Sequence, residues 1–189
     1  MAPDFVTHYH RADRAPFLNL SDLTETEARA VTTDLAQAGG SERRFGPRYH
    51  QLRRDTERLL RERFIARGGQ PQRRSPHYFV LGESGWFRGM YRDYGQVRLD
   101  LAALPPEATS LTWPDSIASM GLLVEYGISL PDKPQYGQVF QLDELDRVLA
   151  AFGRPDSGQP ADYTGHQRAA FDHFIEVQLW SDEPIADWL

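Results

Sequence analysis

The stretch Phe174-Ile-Glu-Val-Gln-Leu-Trp-Ser-Asp-Glu-Pro-Ile185 decides how this chain is read. A run of strand-forming residues carries a single carboxylate, Glu176, and ends before Pro184, which cannot continue a ladder. Side chains alternate between faces along a pleated strand. Ile175, Val177 and Leu179 therefore share one face, and Phe174, Glu176, Gln178 and Trp180 share the other. A carboxylate and an amide two residues apart, flanked by aromatic rings, look the same way. Two readings follow: an edge strand with a wet polar face, or a cleft wall where a carboxylate meets a small molecule.

The segments before this strand supply its neighbours. Gly165–His173 reads as a short helix, and Leu142–Phe152 as a longer one closed by Gly153. Gln138–Phe140, Thr109–Trp113, Gln96–Leu101, His77–Leu81 and Val6–His10 read as strands. Asp115 or Ser116 caps a helix after Pro114. Between Gly82 and Gly95, four glycines and the rings of Trp86, Phe87, Tyr91 and Tyr94 predict a flexible aromatic loop, a common place for binding. Near the N-terminus, Ser21 or Asp22 caps a helix running to Ala38 and stopped by Gly39-Gly40. A second helix covers Pro47–Ala66, with an inner face of Tyr49, Leu52, Thr56, Leu59, Leu60 and Phe64. Helices first, then short strands with interrupting helices, predict a single α+β domain over residues 1–189. N-terminal helices would pack on a small, split, mostly antiparallel sheet.

Composition narrows the class. The 189 residues are 40% hydrophobic and 12% aromatic, which fits a globular protein with a real core. No apolar run approaches the ~20 residues of a membrane helix, and no secretory signal is evident at Met1-Ala-Pro-Asp-Phe5. The absence of cysteine excludes disulfides and thiolate metal sites and fits a cytoplasmic location. The net charge of −6 hides an asymmetry. Between Arg43 and Arg74, eleven arginines face only Asp55, Glu57 and Glu62, a net +8, so the rest of the chain carries −14. Such a split predicts either an anion-facing basic segment over about 43–74 or internal pairing with the acidic remainder.

Four constellations are candidates for chemistry. His8-x-His10 puts two imidazoles on one face of a strand, where they can hold a metal, contact a nucleotide or serve structure. Tyr78 and the aromatic loop offer rings for stacking on a base or a nicotinamide, or simply core. Arg54, Arg58 and Arg61 line the outer face of the second helix, either to contact phosphates or as a solvated face. Ser110-x-Thr112 places two hydroxyls where they can line a cleft. Gly82-x-x-Gly85-x-x-x-Gly89 is neither a phosphate loop nor a dinucleotide fingerprint, and there is no Gly-x-Ser-x-Gly nucleophile elbow.

The order of these pieces resembles the ADP-ribosyltransferase superfamily, especially its DarT-type branch acting on nucleic acids. The likeness rests on Thr7-His-Tyr-His10 followed by Asn19-Leu20, and on Pro76-His-Tyr-Phe-Val80. It continues through Val97–Leu101 with Thr112-Trp-Pro-Asp115, and ends in Phe174–Leu179 with Ser181-Asp-Glu-Pro-Ile185. The Glu-x-Gln order at 176–178 reverses the Gln/Glu-x-Glu order of other branches. The chain also resembles a group of bacterial proteins without an established activity.

The resemblance implies an ADP-ribosyltransferase-like fold and NAD as donor. Glu176 would stabilise the oxocarbenium charge that develops on the ribose. His8 or His10 would hold the ribose or the nicotinamide amide, and Tyr78 would stack near the nicotinamide. Arg74, beside Arg73, stands in the region of the family's nicotinamide-site arginine. Ser110 and Gln178 would line the donor site, and Arg54, Arg58 and Arg61 would present a nucleic acid as acceptor, a protein acceptor being the other case. Competing readings are a non-catalytic nucleotide- or partner-binding module, and a metal-dependent hydrolase built on the two histidines and a carboxylate.

Overall fold

The computed structural model describes residues 2–37, 48–126, 131–155 and 173–189. In chain order its elements are β1 (Phe5–Arg11), α1 (Glu25–Gln37), α2 (Tyr49–Ala66), β2 (His77–Leu81), α3 (Gly85–Arg88), β3 (Tyr94–Asp100), β4 (Thr109–Thr112), α4 (Ser116–Ser119), β5 (Phe140–Gln141), α5 (Leu145–Phe152) and β6 (Glu176–Leu179). The six strands join in one antiparallel sheet, ordered β3-β1-β2-β6-β4-β5. The fold is thus α+β. The expected split of the sheet is corrected, because β6 bonds to β2 on one side and to β4 on the other and so closes any gap.

That central position also settles the first choice. β6 is no edge strand with a wet face: Val177, Gln178, Leu179 and Trp180 are all buried. One face packs Val6, Phe79, Leu111, Val177 and Leu179 under α5 and the C-terminal turn that carries Ile185. The other face carries Trp180 beneath Leu60 and Phe64 of α2. At its far end it carries Phe174 with Tyr9, Val80 and the rings of α3. Burying apolar surface on both faces contributes roughly 25 cal/mol per Å².

Local signals explain the helix ends. Asn19 caps a 3-10 turn at Leu20–Asp22, its side chain accepting from the Ser21 amide. The first α-helix begins only after Thr24, whose amide and hydroxyl bond to Glu27 while the Glu27 amide returns to the hydroxyl. This corrects the expected cap at Ser21 or Asp22. The expected stop at Gly39-Gly40 and the start at Pro47 lie outside the described residues, as does the helix expected over Gly165–His173 up to its last residue. The stretch read as a flexible loop contains α3, capped by Ser84. Trp86 and Phe87 of α3 pack on Tyr9 and Phe174, so part of that aromatic content is core.

Candidate active site

Register fixes which side chains meet. Val80 and Thr112 flank Glu176, and Tyr78 and Ser110 flank Gln178. Directly paired residues point the same way, so Tyr78, Ser110, Thr112, Glu176 and Gln178 share the face under α2. A directed chain of hydrogen bonds runs along it. Trp180 Nε1 donates to Ser110 Oγ at 2.8 Å, and Ser110 donates to Gln178 Oε1 at 2.8 Å. Gln178 Nε2 then donates to Thr112 Oγ1 and to Glu176 Oε1, each at 2.9 Å. With its amide oxygen occupied by Ser110, Gln178 presents its NH₂ to Glu176 and fixes that carboxyl.

The helix supplies the opposite wall. Glu57 is buried, and its Oε1 accepts from Tyr78 OH and from Ser21 Oγ, both at 2.9 Å. Arg53, one turn earlier, lies with its guanidinium carbon 4.3 Å from the Tyr78 ring centre and donates from Nη1 to Tyr49 OH at 3.2 Å. Its Nε is 3.2 Å from Glu57 Oε1 but off the hydrogen-bonding direction, and this buried atom has no hydrogen-bond partner. Glu57, Ser110, Thr112 and Gln178 are buried, whereas Arg53, Tyr78 and Glu176, together with Tyr49 and Ser21, keep some exposure. They mark a small opening over the middle of the sheet.

The opening perturbs its acids. Burial pushes Glu176 up to about 7, and the charge of Asp115 adds to the rise; hydrogen bonds from Ser116 and Gln178 and the charge of Arg53 oppose it. Asp115 is there because it caps α4, its Oδ1 accepting from the Ala118 amide at 3.0 Å. Burial, and then the charge of Glu57, holds the Tyr78 hydroxyl well above the usual tyrosine range, so it stays a donor. A carboxyl titrating near neutrality, oriented by an amide and reachable from solvent, is equipped for acid–base or charge-stabilising work.

The other expected residues fall elsewhere. His8 and His10 alternate with Thr7 and Tyr9, and Thr7 pairs with Val80 of the Glu176 face, so both histidines lie on the opposite face. His8 Nδ1 meets the Tyr78 carbonyl at 2.8 Å and its Nε2 accepts from the Phe17 amide at 3.1 Å, leaving no lone pair for a metal. Burial lowers its pKa to about 4. His10 Nδ1 faces the Arg11 and Arg14 carbonyls. Among the described residues, no group of three or more His, Cys, Asp or Glu is arranged to hold a metal. Ser110 is buried beneath Gln178, a support and not a lining. Arg74 is exposed, while Arg73 is bound by Asp22 and Asp182.

Of the outer arginines, Arg54 donates to the Leu23 carbonyl, Arg61 to the carbonyls of Arg73 and Pro71, and Arg58 pairs with Glu62 in solvent. Sequence reading missed Arg53 and Glu57. Their signal was present: both fall within the Leu52, Thr56, Leu60, Phe64 stripe at helical spacing. No family model, curated protein or solved structure matches this chain.

Proposed function

We propose that the opening at Glu176 is an active site and that its reaction is transfer of ADP-ribose from NAD to a nucleic-acid or protein acceptor. The observation that carries the reading is the Glu176 carboxyl itself, fixed by Gln178, open to solvent and poised near neutrality. Of the expected donor contacts, Glu176 and Tyr78 share this opening, with Gln178 buried behind Glu176 as its support, which fits a ligand bearing a ribose and a planar ring. Bound there, NAD supplies a glycosidic bond whose cleavage builds positive charge on the sugar. Ionised Glu176 stabilises that charge and accepts hydroxyl hydrogens. Tyr78 offers the edge of its ring, its hydroxyl being held by Glu57. The histidines on the far face take no part. An acceptor nucleic acid would meet Arg58, the exposed member of the expected acceptor set.

The test is nicotinamide release from NAD, with nucleic acid or lysate offered as acceptor. Glu176→Ala is expected to lower turnover by about 100-fold or more; unchanged turnover would end the transferase reading. One observation favours a second reading, a non-catalytic nucleotide-binding module: two of the residues expected to hold the donor, His8 and His10, lie on the opposite face. That reading predicts binding without NAD consumption in the wild type.

A further inference from the structure

We propose that Arg53 is the anion-binding residue of this opening, and that its guanidinium receives a phosphate-like or carboxylate oxyanion of the ligand. The proposal rests on the Glu176 opening being the functional site, not on which reaction occurs there.

Buried N–H groups of native proteins nearly always find an acceptor, and each exception calls for an explanation. Arg53 Nε has none. The nearest oxygen, Glu57 Oε1, is already the acceptor for Tyr78 OH and Ser21 Oγ. Glu57 therefore balances the charge of Arg53 without satisfying its donors. Meanwhile the guanidinium is held in one plane by the Tyr78 ring and by Tyr49 OH. Its side chain keeps 18% exposure, so part of Arg53 stays within reach of a ligand although Nε itself is covered. A planar fork with fixed orientation and spare donors matches an oxyanion better than any neutral group.

The charges around it give the site a signature. Those facing Arg53 and the opening are Glu57 from α2, Glu176 from β6 and Asp115 ahead of α4, with the neutral Tyr78 from β2. Glu57 is neutralised by Arg53 and two hydroxyl donors, and Asp115 is turned to the α4 amides. Glu176 is then the group whose charge changes near neutrality, and an incoming anion competes with its ionised form. Binding tightens as pH falls through about 7.

The experiment uses the full chain with sulfate and, separately, malonate as probes. The charge of sulfate stays constant between about pH 6 and 8, so sulfate carries the pH comparison; malonate, whose second proton is lost near the lower end of that range, is used at pH 8 to distinguish carboxylate from phosphate-like ligands. Calorimetry and the NMR signal of the arginine Nε–H groups read binding. The wild type is expected to bind at least one probe, sulfate more tightly at pH 6 than at pH 8, with a shift of the Arg53 Nε–H signal. Arg53→Gln is expected to weaken binding about 10- to 100-fold, the range for a lost charge-assisted hydrogen bond. Arg53→Lys keeps the charge opposite Glu57 and decides the matter if the glutamine variant does not fold; it is expected to weaken binding about 10-fold. Arg29→Gln, on α1, exposed and paired with Glu25, leaves binding unchanged. Equal affinity in wild type and Arg53→Lys, an equal loss in Arg29→Gln, or no binding of either probe overturns the proposal. Arg53-dependent binding without NAD turnover would leave it standing while removing the transferase reading. Turnover without such binding would do the reverse.

Discussion

Glu176 and His8 are titratable groups buried on opposite faces of one sheet, and burial moves them in opposite senses. The Glu176 carboxyl rises from 4.5 to about 7, so the folded state takes up a proton that the unfolded chain has released. Its contribution is full below pH 4.5 and is lost as pH rises through 7. His8 falls from 6.5 to about 4, so its contribution is full above 6.5 and is lost as pH drops through 4. Each is worth roughly 3 kcal/mol at about 1.4 kcal/mol per pH unit. The windows overlap, and between about pH 4.5 and 6.5 the two slopes oppose. Glu176→Gln keeps an acceptor for Gln178 and removes one slope. Its stability in urea is expected to rise with pH across that window, and to exceed the wild type by up to about 3 kcal/mol at pH 8. A difference between the two proteins that does not vary with pH would show that Glu176 ionises freely. Alternation alone put Glu176 and Gln178 on one face, and the structure agrees. It gave no sign that His8 and His10 belong to the other face, because which strands pair, and in which register, is decided by contacts far apart in sequence.

At the scale of elements, all six strands were legible as short strand-forming runs, β5 falling at Phe140–Gln141 rather than over Gln138–Phe140, but their order was not. β6 lies between β2 and β4, partners that stand about half and about a third of the chain before it, and no local pattern encodes that. The apolar stripe of α2 was legible too, with Glu57 and Arg53 left out because charged side chains are assigned to solvent by default. Where α2 ends, packing is tight enough to predict. A Cβ at Gly69 would stand 2.5 Å from carbons of the Phe64 ring, and that ring is fully buried against Trp180. Gly69→Ala therefore forces the ring or the turn to move, at about 1–3 kcal/mol, or a melting temperature lower by roughly 2–12 °C. An unchanged melting curve would mean that the turn yields freely. The cap of α4 makes a different prediction. Asp115→Asn preserves an oxygen for the Ala118 amide but removes the charge that helps raise Glu176. Helix and stability are expected to survive while the Glu176 carboxyl, followed by ¹³C NMR, titrates at lower pH than in the wild type. A titration that does not move would remove Asp115 from the electrostatics of the site.

Across the whole molecule, the split between a basic middle and an acidic remainder resolves in part into contacts inside the chain. Arg67 binds Glu144, Arg63 donates to the Gly137 carbonyl, and Arg73 clasps both Asp22 and Asp182 while bonding the Ser75 carbonyl. Arg73 thus ties the N-terminal 3-10 turn, the approach to β2 and the C-terminal turn into one knot, which His77 joins through its Nε2 and Asp182. Composition left such pairing and an anion-facing segment as alternatives and named no partners, since Asp22 and Asp182 stand at opposite ends of the sequence. Exposed single ion pairs contribute little, about 0.2–1 kcal/mol. Arg73 differs in being mostly covered, at 18% exposure, and in serving two carboxylates at once. Those carboxylates are 42% and 51% exposed, which limits the gain, so Arg73→Met is expected to cost about 1–2 kcal/mol, above the exposed-pair range. Arg58→Met, which breaks only the solvent-exposed pair with Glu62, is expected to cost about 0.3–0.5 kcal/mol. Raising the salt to about 1 M should erase the Arg58 loss and only part of the Arg73 loss, because screening acts on exposed charges first. Equal losses at both positions, vanishing together in salt, would mean that Arg73 is a surface pair and that the two ends of the chain are held by apolar contacts such as Phe17 against Trp188.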